Sequence, residues 1–351
     1  MNRIFAKTTL RDIAEATGVA SSTVSRALAD DSRISVEVRA KVQAVAAQLN
    51  YTPNALARGL SGNGPKAVAF IVPKTAEYDA LGILHLSMLR GFSRVVTEEG
   101  QLLLLSLGED RSYLKLVASG LCQGLVVVTN RLGDPRLADL ARHRVPTVLL
   151  PGDPSLSLPR VNFDNRQGAL LATRHLLAMG HRRIAFVGGE ANSLFHTERL
   201  DGFVAALAEA DLFAAPEHIR VAKFSTHSGF EEGLAILSGT DAPTAIVCVN
   251  DLVASGVIAA CRRLGLRVPD DVSLVSAASS LEQPFAAPLP ARVITDLDLA
   301  GAEAARLLFR LLAGRAAWTT EVRLPVRFEL GKSTGAPKQA ISSNRHGRAQ
   351  T

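Results

Sequence analysis

Apolar positions recur at helical spacing in three short runs within the first fifty residues. Leu10, Ile13, Ala14 and Thr17 share one face, Val24, Ala27 and Leu28 a second, and Val38, Val42, Val45, Ala46 and Leu49 a third. Thr9-Leu10-Arg11-Asp12 reads as a capping box with Asp in place of Glu, so a helix starts there and Gly18 stops it. A second helix is expected over about 21–29, and Ser35 opens a longer third that ends at Tyr51-Thr52-Pro53. Residues 54–60 supply only two helical turns, too few to be stable alone in water. Ser61-Gly62-Asn63-Gly64-Pro65 then reads as a linker.

Past the linker, short apolar runs alternate with helical stretches. Strands are predicted at 67–72, 102–107, 124–128, 147–150, 184–187, 219–222, 245–248 and 272–275. Helices are predicted between them at 82–99, 134–143, 166–179, 199–211, 228–238, 252–264 and 299–313. Continuous apolar strands alternating with helices imply parallel sheets covered on both faces, and this many units suit two doubly wound α/β lobes. The fold class expected is α plus α/β. The tail beyond Gly331 is polar, and residues 334–351 are expected to be disordered.

Composition narrows the function. Hydrophobic residues make up 47% of the 351, enough for large cores, yet no apolar run approaches the roughly 20 residues of a membrane helix. Met1 to Lys7 lacks a secretory apolar stretch, and Cys122, Cys248 and Cys261 are scattered without metal-ligand spacing. A cytoplasmic protein without membrane association, metal or cofactor is expected. The net charge of +6 is uneven: residues 1–65 hold eight basic and five acidic residues, whereas the long middle is nearly neutral. A basic head points to a polyanion.

Helix, glycine turn and helix over residues 10–28 form the layout of a DNA reader, since the turn glycine sets the second helix across the first. Ser21, Ser22 and Arg26 would face outward to base edges, and Thr23, Ser25 and Ser35 would meet phosphates. A three-helix module with a solvated polar face has the same pattern. No Gly-x-Gly-x-x-Gly follows a strand, and there is no phosphate loop, nucleophile elbow or metal-spaced His pair, so no catalytic residue is assigned. A secreted binding receptor would share such a body but would lack the head.

Asp12-Ile13-Ala14, Gly18-Val19, Thr23-Val24-Ser25-Arg26 and the run from Leu49 to Leu60 together resemble the lactose-repressor (LacI/GalR) family of bacterial transcriptional regulators. The resemblance continues through Val161-Asn162-Phe163-Asp164-Asn165, Met179-Gly180-His181-Arg182-Arg183-Ile184, Arg199-Leu200-Asp201-Gly202-Phe203 and Val249-Asn250-Asp251 to about Gly335. It implies a helix-turn-helix DNA-binding domain over 8–53 and a hinge helix with linker over 54–65. It also implies a two-lobed, periplasmic-binding-protein-like (type I) core over 66–333, with lobe crossovers near 163, 294 and 323. The expected partners are a pseudo-palindromic double-stranded DNA operator, a small-molecule effector between the lobes (a sugar, sugar acid or phosphosugar) and a second copy in a homodimer. The expected outcome is repression.

The resemblance adds Arg33 to the DNA contacts and implies that Asn54, Ala57 and Leu60 belong to a hinge that folds on DNA, with Leu60 as a minor-groove wedge. Ala20 departs from the family, which has Ser or Thr capping the second helix. The implied effector residues are Asp164, Arg199, Phe224, Asn250, Asp251 and Ala278. From the residues alone, Asp164 and Asp251 fit helix caps equally, Phe224 fits a core position and Arg199 fits a salt bridge. At Ala278 many relatives carry an Asp that binds effector hydroxyls. Its loss disfavours a neutral hexose and favours a sugar acid, a phosphosugar or another anion. Arg199 is then the counter-charge, with Arg131 or Lys74 as auxiliary cations.

Overall fold

Thr9 and Asp12 close the capping box that the sequence offers: the Thr9 amide donates to Asp12 Oδ2 at 2.7 Å, and the Asp12 amide donates to Thr9 Oγ1 at 3.3 Å. In this computed structural model, residues 8–51, 67–73, 83–107, 113–129, 131–279 and 289–338 are described. The chain divides into two compact units after Pro65. The first holds α1 (Leu10–Thr17), α2 (Ser21–Leu28) and α3 (Val36–Gln48). Gly18 ends α1 at φ 72°, a left-handed conformation that glycine adopts without strain. Ile13, Val24, Ala27, Val42 and Ala46 form the buried centre, and Lys41 Nζ ties α3 to the Thr17 carbonyl at 3.0 Å.

The second unit is built on two sheets. The amino lobe contains β1 (Ala67–Val72), β2 (Leu102–Leu107), β3 (Leu125–Val127), β4 (Thr147–Leu149), β5 (Arg160–Phe163) and β11 (Glu321–Leu324). They lie side by side in the order β11-β5-β4-β3-β1-β2, all parallel. The carboxyl lobe contains β6 (Ile184–Val187), β7 (Ile219–Arg220), β8 (Ala245–Cys248), β9 (Ser273–Ser279), β10 (Ala291–Ile294) and β12 (Arg327–Glu329). Here the order is β12-β10-β9-β8-β6-β7, and only the β12 pairing is antiparallel.

Burial on both faces explains the unbroken apolar strands. In β1, Val68, Phe70 and Val72 enter the core under α4 (Ile83–Glu98), while Ala69 and Ile71 enter the opposite core with α5 (Tyr113–Ala118) and α6 (Pro135–Arg142). The carboxyl lobe has α7 (Asn165–Ala178), α8 (Leu194–Ala208), α9 (Thr226–Leu237) and α10 (Asp251–Arg263) around its own core. The last helix, α11 (Leu297–Leu312), returns to the amino lobe. There it meets α4 backbone to backbone, because a Cβ on Gly91 would overlap the Asp298 carbonyl and one on Gly301 the Met88 carbonyl. The chain therefore passes between the lobes after Phe163, after Ile294 and after Leu324.

Several elements differ from the sequence pattern. The strands β5, β10, β11 and β12 carry Arg160, Arg292, Arg323 and Arg327 and give no clean apolar run. The short helix α5 also went unread. The strand read as 272–275 continues to Ser279, held there by pairing with Ile294. α8 begins at Leu194 instead of 199, because the Ser193 hydroxyl accepts from the Phe195 amide at 3.2 Å.

The tail corrects the expectation that disorder begins at 334. Residues 331–338 form a strap across the carboxyl lobe, since its polar atoms satisfy strand ends. Ser333 is fully buried, and its Oγ accepts from the Ala291 amide at 2.8 Å. His175 Nε2 meets Thr334 Oγ1, and His181 Nε2 donates to the Gly335 carbonyl, both at 2.9 Å.

Burial lowers the pKa of His175, His181 and His196 below the ordinary 6.5. The unfolded chain takes up these protons first as pH falls, so the stabilisation is complete above 6.5 and lost below it. Urea unfolding followed at about pH 7.5 and about pH 5.5 is expected to show a lower midpoint at the acid value, with a shallower drop in His181→Gln.

Candidate functional sites

Burying Val24 and Ala27 turns the rest of α2 outward. Ser21, Ser22, Ser25 and Arg26 are exposed on one side, and Thr23 is half-buried. This face offers hydroxyls and a guanidinium, groups that read base edges and phosphates in a major groove. Ala20 occupies the cap position with extended backbone (φ −63°, ψ 146°) and provides no side-chain hydrogen bond to the helix. Ser35 is exposed and caps α3, accepting from the Val38 amide at 3.4 Å. Arg33 is 75% exposed in its side chain and clasps Asp31, Nη2 to Oδ2 at 2.7 Å. Those Arg33 hydrogen bonds hold the Asp31 carboxyl far below the usual carboxylate range. Asn54, Ala57 and Leu60, the proposed hinge residues, lie outside the described residues.

The second site lies between the lobes of the body, beyond the carboxyl ends of the strands, where open parallel sheets place their ligands. One cavity brings together Arg199, Phe224, Asn250, Asp251 and Ala278. It is a narrow, partly open cavity of about 70 Å³. A larger open groove of about 660 Å³ runs beside it, walled by the crossovers at Thr295 and Pro325 and by Arg90.

The environment of each residue bears on the readings left open by sequence. Asp164 is not among the cavity's lining residues; it caps α7, accepting from the Gln167 amide at 3.2 Å. Asn250 caps α10, accepting from the Val253 amide at 3.0 Å, which leaves Asp251 as the first helical residue. Asp251 is 2% exposed, and the hydroxyls of Ser276 and Ser279 each donate to one of its oxygens at 2.6 Å. Burial pushes its carboxyl pKa up, against the pull of those hydroxyls and of Arg292 and Arg199. Arg199 is 3% exposed and donates to Asn165 Oδ1 at 2.6 and 3.1 Å and to the Val249 carbonyl at 2.9 Å. Its guanidinium also lies 4.5 Å from the centre of the Phe195 ring. Phe224 belongs to the carboxyl-lobe core and lines the cavity as well. Gly189 makes room for it, because a Cβ there would overlap the Phe224 ring.

Several contributors escaped the sequence reading. Asn165 orients Arg199 and donates to Glu198 at 2.7 Å. Ser276 and Ser279 hold Asp251. Arg292 is a buried arginine on β10 that donates to Ser279 Oγ at 3.3 Å, and a charged residue inside a strand gives no periodic signal. Arg131 is exposed and bridges to Ser193 through backbone, and Lys74 lies outside the described residues. Among the described residues, no His, Cys, Asp and Glu group could hold a metal, and no helix is long and apolar enough to cross a membrane. The three cysteines are free and buried.

Comparison with known proteins matches both units. Residues 9–54 match the family described as bacterial regulatory proteins, lacI family, and residues 173–334 match a periplasmic binding protein-like domain. The HTH-type transcriptional regulator DegA of Bacillus subtilis (strain 168) is 30% identical over 93% of this chain and 98% of its own length. The HTH-type transcriptional repressor PurR of Photobacterium profundum is 31% identical over 76% of this chain and 80% of its own length. The structure of the Lac repressor dimer bound to operator and the anti-inducer ONPF superposes with a TM-score of 0.81. It is 25% identical, covering 94% of this chain and all of that one.

The uncapped start of α2 gives a direct test of local energetics. Ala20→Ser supplies an acceptor for the amides of Ser22 or Thr23 and is expected to stabilise the head by about 1 kcal/mol. Hydrogen exchange at those amides, slowed in the variant, is the measurement.

Proposed function

The chain belongs to the lacI family of bacterial regulatory proteins, and from that premise we propose that it is a homodimeric, effector-controlled repressor. Membership makes it a DNA-binding transcriptional regulator with an effector-binding body, and its relatives are regulators, not enzymes. In this reading α2 enters the major groove of each operator half-site. Ser21, Ser22 and Arg26 read bases, while Thr23, Ser25, Arg33 and Ser35 position the head on phosphates. The exposed polar face of α2 carries the proposal. Residues 54–65 form the hinge, with Asn54, Ala57 and Leu60 folding into a helix on DNA and Leu60 unstacking a base step.

Two heads one helical turn apart, about 10 bp, call for a two-fold operator and a two-fold protein. Support for the dimer comes from the amino lobe, where the edge strand β2 exposes Leu102, Leu105 and Leu107, the last by 56%. An unpaired apolar edge is a liability unless something covers it. The Lac repressor it resembles is described as a dimer on its operator. A bacterial regulator of this kind works in the cytoplasm, with the chromosome.

The effector occupies the cavity at Arg199, and because it binds between lobes it favours one lobe arrangement over another. An effector that favours separated hinges induces, and one that favours apposed hinges corepresses. The effector in this reading is a small anion, a class that includes the sugar acids and phosphosugars expected from the sequence. The supporting observation is the buried guanidinium of Arg199 on the cavity wall, beside a position held by Ala278.

Fluorescence anisotropy on the promoter of its own gene tests the DNA-reading role. Affinity is expected to fall steeply as salt rises. Arg26→Ala is expected to cost about 1–3 kcal/mol of specific binding. Equal binding to scrambled DNA would remove the reading. Leu60→Ala is expected to lower operator affinity while leaving non-specific binding nearly unchanged, and unaltered operator affinity would refute the wedge.

A further inference from the structure

Chain from both lobes meets at the entry of α8. Leu132, which follows β3 in the amino lobe, donates its amide to the Asn192 carbonyl at 2.8 Å, and Arg131 and Ser193 form an antiparallel bridge there. Both backbone contacts join the segment after β3 to the two residues just before α8. One turn into the helix, Glu198 Oε1 lies 3.7 Å from Nη1 of Arg323, a residue of β11 in the amino-lobe sheet. Phe195, on the same face of α8, packs on both lobe cores.

A line of side chains links this contact to the cavity. Arg199 on the cavity wall donates to Asn165 Oδ1 at 2.6 and 3.1 Å, and Asn165 Nδ2 donates to Glu198 Oε2 at 2.7 Å. Asn165 is buried, held with its carbonyl toward the guanidinium and its amino group toward the carboxylate. The Glu198 side chain is 19% exposed. Burial pushes its pKa up, with Glu321 adding to the rise and Asn165, Arg323 and Arg199 opposing it. At the far end Arg323 is fixed by Glu321 at 2.7 Å, which Arg160 of β5 also holds at 2.8 Å. Arg199, Asn165 and Glu198 belong to the carboxyl lobe, whereas Arg323, Glu321 and Arg160 belong to the amino lobe. Moving the lobes apart therefore breaks Glu198–Arg323 and the backbone contacts at Asn192 and Ser193, and leaves the links from Arg199 to Glu198 in place.

An ion pair this exposed adds little to global stability, but a contact made in only one lobe arrangement biases the choice between arrangements. We propose that the entry of α8 is a clasp between the lobes and that Glu198 is its positioning residue, carrying the state of Arg199 to Arg323. A ligand that draws Arg199 off Asn165 frees the amide that orients Glu198, and the clasp loosens. This coupling rests on the cleft being the effector site, whereas the clasp itself is measured without ligand.

The Leu132 amide reports the clasp directly, since its acceptor lies in the other lobe. Hydrogen exchange, read by mass spectrometry on peptides spanning 131–133 of the full-length protein, is expected to quicken about threefold or more in Glu198→Gln and in Arg323→Gln. Gln keeps an oxygen for the Asn165 amide, so the first variant removes charge alone. Asn165→Ala, which cuts the line between Arg199 and Glu198, is expected to quicken exchange as well. Arg323→Lys is expected to exchange as the parent does, and the double variant of Glu198→Gln with Arg323→Gln no faster than the single ones. Peptides from β8 are expected to exchange unchanged in every variant. Operator affinity by fluorescence anisotropy is expected to shift about threefold or more in Glu198→Gln and Arg323→Gln, with affinity for scrambled DNA constant. Unaltered Leu132 exchange, additive effects in the double variant, β8 exchange that rises in step with Leu132, or unaltered operator affinity overturns the clasp. Lack of preference for operator over scrambled DNA in the parent protein strikes the regulator reading, and the exchange result then decides the clasp alone.

Discussion

Parallel strands carry their carboxyl ends to one edge of a sheet, and each is followed by a helix whose amino terminus presents unpaired amides there. In this body both sheets direct that edge toward a shared cleft. Asp164, Ser193, Asn250 and Asp296 cap the helices that start beside it. The cleft is therefore where the fold gathers polar groups, of which Asp251 and Arg199 are buried. The Asp251–Ser276–Ser279 cluster and the Arg199–Asn165 fork supply their hydrogen bonds.

Three passages of chain hold the cleft and allow the lobes to move. Each lobe has its own core, so each can travel as a body. Among the described residues, Phe195 on the cavity wall and Val326 in the neighbouring groove pack on both cores. The close contact of Gly91 and Gly301 locks α4 to α11, and the ion pairs of Arg90 and Arg94 with Asp298 reinforce it. A ligand that changes lobe spacing thus acts on rigid halves, not on a deformable wall.

The head works under a different constraint. Its core is small, and its second helix lacks a side-chain cap, so little stabilisation is invested in the helix that carries the exposed polar face. Ser21, Ser22, Ser25 and Arg26 on its exposed face stay out of the packing.

Much of the molecule was legible from residues alone. Helix starts marked by Thr9 and Ser35, the stop at Gly18 and the buried strands of both sheets follow from local spacing and capping chemistry, which depend on near neighbours in sequence. The short strands at the crossings and the entry of α8 at Ser193 were harder to read. They are fixed by partners far along the chain, as when Glu321 to Leu324 pairs with Arg160 to Phe163. The site divides in the same way. The family resemblance pointed to Asp164, Arg199, Phe224, Asn250, Asp251 and Ala278 as neighbours in function, and it implied that a carboxylate is missing at Ala278. Only the folded chain could show that Asp164 and Asn250 serve as helix caps and that two serines occupy Asp251. The same holds for Arg292, which reaches the back of the wall from a strand thirteen residues past Ser279. Caps and periodic faces are local properties, whereas the satisfaction of a buried charge is decided by whatever tertiary contact places beside it.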